Sequence, residues 1–373
     1  MSVIISETLG PKRLVGGVAS EMKLLAPFFA AAGFYILGVL ATARFTGLDS
    51  YFRLSLYQEA AGLTAVLAVP IGLLAYLIYL LASEREKHPL ARLGRDITAH
   101  ILAPRRLITW ILSLVTLCYF ISAFSSFKTM IAALNPFYLD RALAGLDDAI
   151  HLGIAPWKIT HFLFGGLYPT LTLNIAYNAW FFVMCFFTLA QTLALTGSRN
   201  RARYLLSFVL CWIVIGSILA VALSSAGPCY YGRVTGLADL FAPLMQHLAA
   251  LDSGQAAAGS YWRLWSLALQ DRLWSDQFLS TSVIGSGISA MPSMHVSVAV
   301  LIALSAYRIN RWFGRAMFAY GVIILVASVH LGWHYAVDGY ASAAVTWLIW
   351  RLSGRIVERV GFDRERRLVA AEH

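Results

Sequence analysis

Three clusters in this 373-residue chain combine side chains able to do covalent chemistry. The first is Gly285-Ser286-Gly287-Ile288-Ser289-Ala290-Met291-Pro292-Ser293-Met294-His295, a glycine-rich turn feeding a helix. With Pro292 read as the first helical residue, the turn presents free backbone N–H groups and a positive dipole end, which suit an anion. Gly287 lies in that turn, and Ser293 and His295 fall within the first helical turn. The glycines read equally well as a helix cap beside a loop, with an interfacial histidine. The second cluster is Ser328-Val329-His330-Leu331-Gly332-Trp333-His334-Tyr335-Ala336-Val337-Asp338. On an unbroken helix His330, His334 and Asp338 follow i, i+4, i+8 spacing and share a face, which a turn around Leu331 to Trp333 would undo. The plainer reading is a buried, hydrogen-bonded structural cluster. The third is Ser224-Ser225-Ala226-Gly227-Pro228-Cys229-Tyr230-Tyr231-Gly232-Arg233. There Arg233, with Tyr231 beside it, suits a phosphate through paired charge-assisted bonds, or the tyrosines anchor the chain at an interface with Arg233 solvated.

Taken together, the clusters supply what phosphoryl transfer through a histidine requires. A neutral imidazole attacks phosphorus, a carboxylate fixes its tautomer through the other ring nitrogen, and a second histidine protonates the leaving oxygen. Positive groups around the equatorial oxygens supply most of the electrostatic stabilisation.

The elements that must position these residues are membrane helices. Hydrophobic residues make up 59% of the chain and charged residues 13%, with a mean hydropathy of +0.68. Ordinary soluble domains carry about 25% charged residues. The composition therefore predicts an all-α polytopic membrane protein and excludes a disordered chain. It also excludes a disulfide scaffold, since Cys118, Cys185 and Cys211 lie inside apolar runs and only Cys229 sits in a loop. At about 20 residues per crossing, eight spans are expected. They run from Leu24 to Ala43, Ala60 to Ala82, Leu107 to Phe127, Leu171 to Leu195, Tyr204 to Leu223, Ala290 to Tyr307, Met317 to Leu331 and Val337 to Leu352. Ala41-Thr42-Ala43 has the form of a signal-peptidase site, but the apolar run before it is longer than a signal core.

With the N-terminus inside, 21 of the 29 lysines and arginines fall on the cytoplasmic side. That asymmetry puts both termini in the cytoplasm and all three clusters at the outer boundary. The net charge of +10 then reads as a topology determinant, with no nucleic-acid partner, and its arginine clusters suit anionic lipid headgroups. In the outer loop from Lys128 to Thr170, Asp140 to Ile150 has the spacing of a helix lying on the membrane surface. Asp147 and Asp148 do not make an acid/base pair there, because helical neighbours do not face each other; they read as a solvated polar face.

Pro292-Ser293-Met294-His295 followed by His334-x-x-x-Asp338 resembles the second and third signature motifs of the type 2 phosphatidic-acid phosphatase superfamily. The form is closest to its inositolphosphotransferase branch, typified by fungal inositol phosphorylceramide synthase, where Pro-Ser-x-His precedes His-Tyr-x-x-Asp. His334-Tyr335-Ala336-Val337-Asp338 has that form. The resemblance runs from the third span onward. It implies a six-helix phosphatase-type bundle over residues 107–356, preceded by a tail and two additional helices in 1–106 and followed by a cytoplasmic tail in 357–373. It further implies His334 as the nucleophile, Asp338 as its orienting partner, His295 as the acid/base, Ser293 as a phosphate contact, and neither metal nor cofactor. The chain departs from the pattern twice. The first motif, a lysine followed at a distance by Arg-Pro, is not found, and Ser328 stands where an arginine is common. Phosphate binding is then expected from Arg233, Tyr231, His330 and the amides around Gly287.

The expected function is cleavage or transfer of a phosphate or phospho-headgroup on a lipid at the outer face of the membrane. Hydrolysis and transfer differ only in whether water or a lipid hydroxyl attacks the phosphohistidine, and the branch resemblance leans toward transfer of an inositol-phosphate-type headgroup. Two alternatives stay open. One is a metal site built on His330, His334, His295 and Asp338, which lacks the glutamate of a zinc protease motif. The other is a transporter with a histidine proton relay, against which stand the absent internal repeat and the clustering at one boundary.

Overall fold

The computed structural model describes residues 11–58, 70–97 apart from 71, 75 and 83, 104–194, 198–279 and 281–371. Within hydrocarbon every backbone N–H and C=O must be satisfied inside the segment, so the apolar runs fold as helices. Among the described residues no strand occurs. The main helices are α1 (Pro11–Thr46), α2 (Pro104–Leu134), α3 (Asp140–Ile150), α4 (Pro156–Phe164), α5 (Leu167–Thr192), α6 (Ser198–Ile213), α7 (Ala242–Ala257), α8 (Trp265–Asp276), α9 (Met294–Ile309), α10 (Arg311–His330) and α11 (Ala336–Ala371). Among the described residues five stretches are long and apolar enough to cross a membrane: Glu21–Thr46, Arg106–Leu134, Leu167–Thr192, Arg199–Ala222 and Arg311–His330. The fourth extends α6 through a π turn over Val214–Leu219. Most of the span expected from Ala60 to Ala82 lies outside the described residues.

One core joins the long helices. Leu25 and Phe28 of α1 pack with Phe120 and Phe124 of α2, Tyr204 and Phe208 of α6, Leu301 and Ile302 of α9, Ile324 of α10 and Trp350 of α11. Buried hydroxyls tie helix to helix: Tyr35 to Ser217 at 2.7 Å, Thr188 to Tyr204 at 2.8 Å and Ser297 to Thr346 at 2.7 Å. Helices α9 and α10 form a hairpin that reverses at Asn310, whose side chain accepts from the backbone N–H groups of Trp312 and Phe313. Two arginines counted above as topology signals also join helices. Arg201 is buried against Glu21 of α1, and Arg203 stacks 4.0 Å over Trp350 of α11 while donating to its carbonyl.

Helix α3 spans the expected residues, but its polar face turns inward. Asp140 and Asp147, two turns apart, are buried with Leu143 and Ala144, while Leu146 and Ile150 are 44% and 50% exposed. The expectation of a solvated Asp147 is therefore corrected. Its carboxylate accepts from the first N–H groups of α11, Ala336 at 2.7 Å and Val337 at 2.9 Å, which have no partner within their own helix. Asp140 accepts from the Ser225 hydroxyl, the Ala226 and Gly227 N–H groups and the Tyr335 hydroxyl, all within 3.0 Å. Replacing Asp140 by Ala strands these buried donors and is expected to destabilise the protein by at least about 3 kcal/mol. Thermal unfolding of the purified protein in detergent checks this, and a loss below about 0.5 kcal/mol, the range of ordinary surface substitutions, contradicts it.

Candidate active site

Helix α10 ends at His330, and the chain turns back on itself before α11 begins. Trp333 and His334 both donate their N–H groups to the Ser328 carbonyl, at 2.9 and 3.2 Å. Gly332 sits in the turn at φ +74°, a conformation that side chains other than glycine's adopt only with strain. His330 and His334 therefore do not share a helix face, which corrects the i, i+4, i+8 expectation. The second half of that spacing survives, because His334 lies just ahead of the first turn of α11. Its Nδ1 stands 3.3 Å from Oδ2 of the fully buried Asp338, and that oxygen also accepts the Tyr335 N–H at 3.1 Å. Oδ1 of Asp338 is buried with no hydrogen-bond partner.

His295 enters from α9. That helix starts at Met294 and not at Pro292, because the Ser293 hydroxyl caps it by accepting from the Val296 N–H. The Ser293 N–H donates to the Asp338 carbonyl at 3.3 Å, tying the start of α9 to the start of α11. The His295 ring packs against Tyr177 and Trp180 of α5, with centroids 4.4 and 4.2 Å away, and Trp180 donates its indole N–H to the His295 carbonyl. So held, the His295 and His334 rings lie 6.0 Å apart at 61°. One imidazole oriented by a carboxylate thus faces a second imidazole, an arrangement able to pass a proton to or from a group bound between them.

A family model matches residues 141–352, the stretch that holds all three of these side chains. The chain belongs to the PAP2 superfamily. No curated protein and no solved structure matches it. PAP2 membership, together with the long apolar helices, makes the chain a phosphatase-type integral membrane enzyme.

Not every residue expected at this PAP2 site is brought to it. His330 is buried in a separate cluster, stacked on His161 at 4.0 Å and bonded through Nε2 to Thr170, while His161 donates to its carbonyl. Burial holds His161 below the ordinary imidazole range. Arg233 pairs with Asp271 at 3.6 Å, lies over Trp274 and is 47% exposed. Tyr231 packs edge-on against Phe241 in the core. Gly287 does not open a helix start to an anion; it lets its loop lie on the backbone of α2, where a Cβ would come 2.7 Å from the Lys128 carbonyl oxygen. Among the described residues no set of three histidines, cysteines or carboxylates is placed to hold a metal ion.

Two features were not read from the sequence. The backbone of Lys128 in α2 lies against Gly287, in the loop that leads to His295. The sequence signal was a lone lysine at the end of an apolar span, a costly placement in hydrocarbon. The second is a cavity of about 110 Å³ beside His334, bounded by α3, the start of α4 and the segment before α7. Asp147, Asp148, Trp157, Lys158 and Phe241 line it. Burial pushes the Asp147 carboxyl up, opposed by its two backbone donors.

Asp338→Asn keeps the volume but removes the charge that orients the imidazole. It is expected to lower kcat for turnover of a phosphate ester by at least about 100-fold, with little change in melting temperature. A variant of undiminished kcat would show that the carboxylate does not serve the histidine.

Proposed function

We propose that this PAP2 protein is a lipid phosphatase or phosphotransferase working through a phosphohistidine on His334. The observation that carries the reading is the His334–Asp338 pair facing His295 across 6.0 Å. In the first step Nε2 of His334 attacks phosphorus, the bond from phosphorus to the leaving oxygen breaks, and protonated His295 gives that oxygen its proton. Asp338 holds the proton on Nδ1, so that Nε2 carries the lone pair. In the second step an incoming hydroxyl loses its proton to His295 as its oxygen bonds phosphorus, and the N–P bond breaks. Water as acceptor gives hydrolysis, and a lipid hydroxyl gives transfer.

Transfer of an inositol-phosphate-type headgroup is the finer reading, supported by the Pro292-Ser293-Met294-His295 and His334-Tyr335-Ala336-Val337-Asp338 forms. The cavity beside His334 supports a lipid substrate, because it joins apolar walls at Leu240, Phe241 and Leu244 to polar groups at Asp148 and Lys158. The distribution of lysine and arginine supports eight spans in a cell inner membrane, both termini in the cytoplasm and the active site on the outer side.

Wild-type protein mixed briefly with lipid carrying labelled phosphate and quenched in base is expected to retain acid-labile label. His334→Ala is expected to retain none and to turn over no substrate, while His295→Ala, which lacks both the acid of the first step and the base of the second, is expected to slow formation and release of label alike. Undiminished turnover by His334→Ala would end this reading. Partition of label between free phosphate and a lipid alcohol separates hydrolysis from transfer.

A further inference from the structure

Helix α9 carries its own cap in Ser293, whereas α11, which carries Asp338, follows a tyrosine, a residue type that does not cap helices. The Tyr335 hydroxyl bonds Asp140 at 3.0 Å. A helix start leaves its first N–H groups without partners inside the helix. In α11 the Asp338 N–H donates to the Tyr335 carbonyl at 3.2 Å, and the Ala336 and Val337 N–H groups each go to one oxygen of Asp147 in α3. In return the Asp338 side chain accepts the Tyr335 N–H at 3.1 Å. The result is a capping box divided between two segments: Asp338 reaches back locally, and the capping oxygens come from α3.

We propose that Asp147 is a positioning residue for the reaction, the N-cap of α11 supplied from another helix, which holds His334 and Asp338 in register. The proposal rests on the phosphoryl-transfer reading above. Both oxygens of Asp147 are engaged by backbone, so it acts through the pair and not on the substrate. The pair has little slack. Asp338 Oδ2 already serves the Tyr335 N–H, and its distance to His334 Nδ1 is 3.3 Å. A further shift of about 0.3 Å takes that contact out of hydrogen-bonding range. The capped residues, Ala336 and Val337, are those between the two partners, so a start of α11 that frays moves one partner relative to the other. It also disturbs the tie from the Ser293 N–H to the Asp338 carbonyl, through which α9 and His295 keep their place. Asp147 and His334 further share the wall of the cavity, so the group that caps the helix stands beside the space next to the nucleophile.

The test uses full-length protein in lipid nanodiscs, with phosphatidic acid and phosphatidylinositol labelled in the phosphate as probes, and reads the rate of label transfer to folded protein. Asp147→Asn keeps one acceptor oxygen and Asp147→Ala keeps none. They are expected to slow label transfer by about fivefold and about 30-fold, with KM within about twofold of wild type. Leu146→Ala, on the exposed side of α3, is expected to stay within about twofold. In an Asp338→Asn background, where the imidazole has already lost its orienting charge, either Asp147 substitution is expected to cost less than about twofold more. A merely structural role would cost the same in both backgrounds. The Asp147→Asn arm decides by the same cycle if Asp147→Ala does not fold. Costs that multiply in the double variants, or an Asp147→Asn rate within about twofold of wild type, overturn the proposal and leave His334 chemistry intact. Wild-type protein that takes label from neither lipid overturns the phosphoryl-transfer reading, and this proposal with it.

Discussion

The structure depends on how the break between α10 and α11 is held. A chain that breaks between two packed helices frees N–H groups, and leaving them unbonded away from water costs free energy comparable to a lost hydrogen bond each. Helix α3 supplies the acceptors. Asp147 takes the first two N–H groups of α11, and Asp140 takes two more from the Ala226–Gly227 turn as well as the Tyr335 hydroxyl. His334 and Asp338 stand on either side of the capped residues, so the geometry of the pair is set by a helix nearly two hundred residues earlier in the chain. This also explains the inverted amphipathy of α3. Its carboxylates face protein donors, and Leu146 and Ile150 are left exposed.

The second organising constraint is the scarcity of charge. With only 13% charged residues, several of the ionisable groups are given a defined partner. Asp252 accepts from Arg263 and from the Leu264 N–H, Arg233 meets Asp271, and the two carboxylates of α3 meet backbone. His295, in contrast, is held by rings, those of Tyr177 and Trp180. Aromatic walls fix the imidazole without offering its nitrogens a competing partner, which leaves them free for a substrate.

Much of the helix pattern was legible in the chain because a lipid solvent enforces it. Long apolar runs must be helical, and α2, α5, α6 and α10 lie where hydropathy puts them. The pairing of His334 with Asp338 was legible too, since residues four apart meet at a helix start whatever else is nearby. The misreadings have one cause, which is that sequence spacing is blind to backbone breaks and to long-range neighbours. His330 left the expected face because Gly332 turns the chain. Pro292 did not open α9 because Ser293 caps it, and Gly287 serves a contact with α2 instead of an anion.

By itself the sequence determined that the chain is an all-α membrane protein, and it marked His295, His334 and Asp338 by residue type in a chain that tolerates few ionisable groups. Only the tertiary structure decided which groups surround them. It brought His295 to His334, turned Asp140 and Asp147 inward, and set His330 and Arg233 on other partners. Local spacing specifies neighbours one helical turn away, whereas these contacts join segments more than thirty residues apart and exist only when the helices pack.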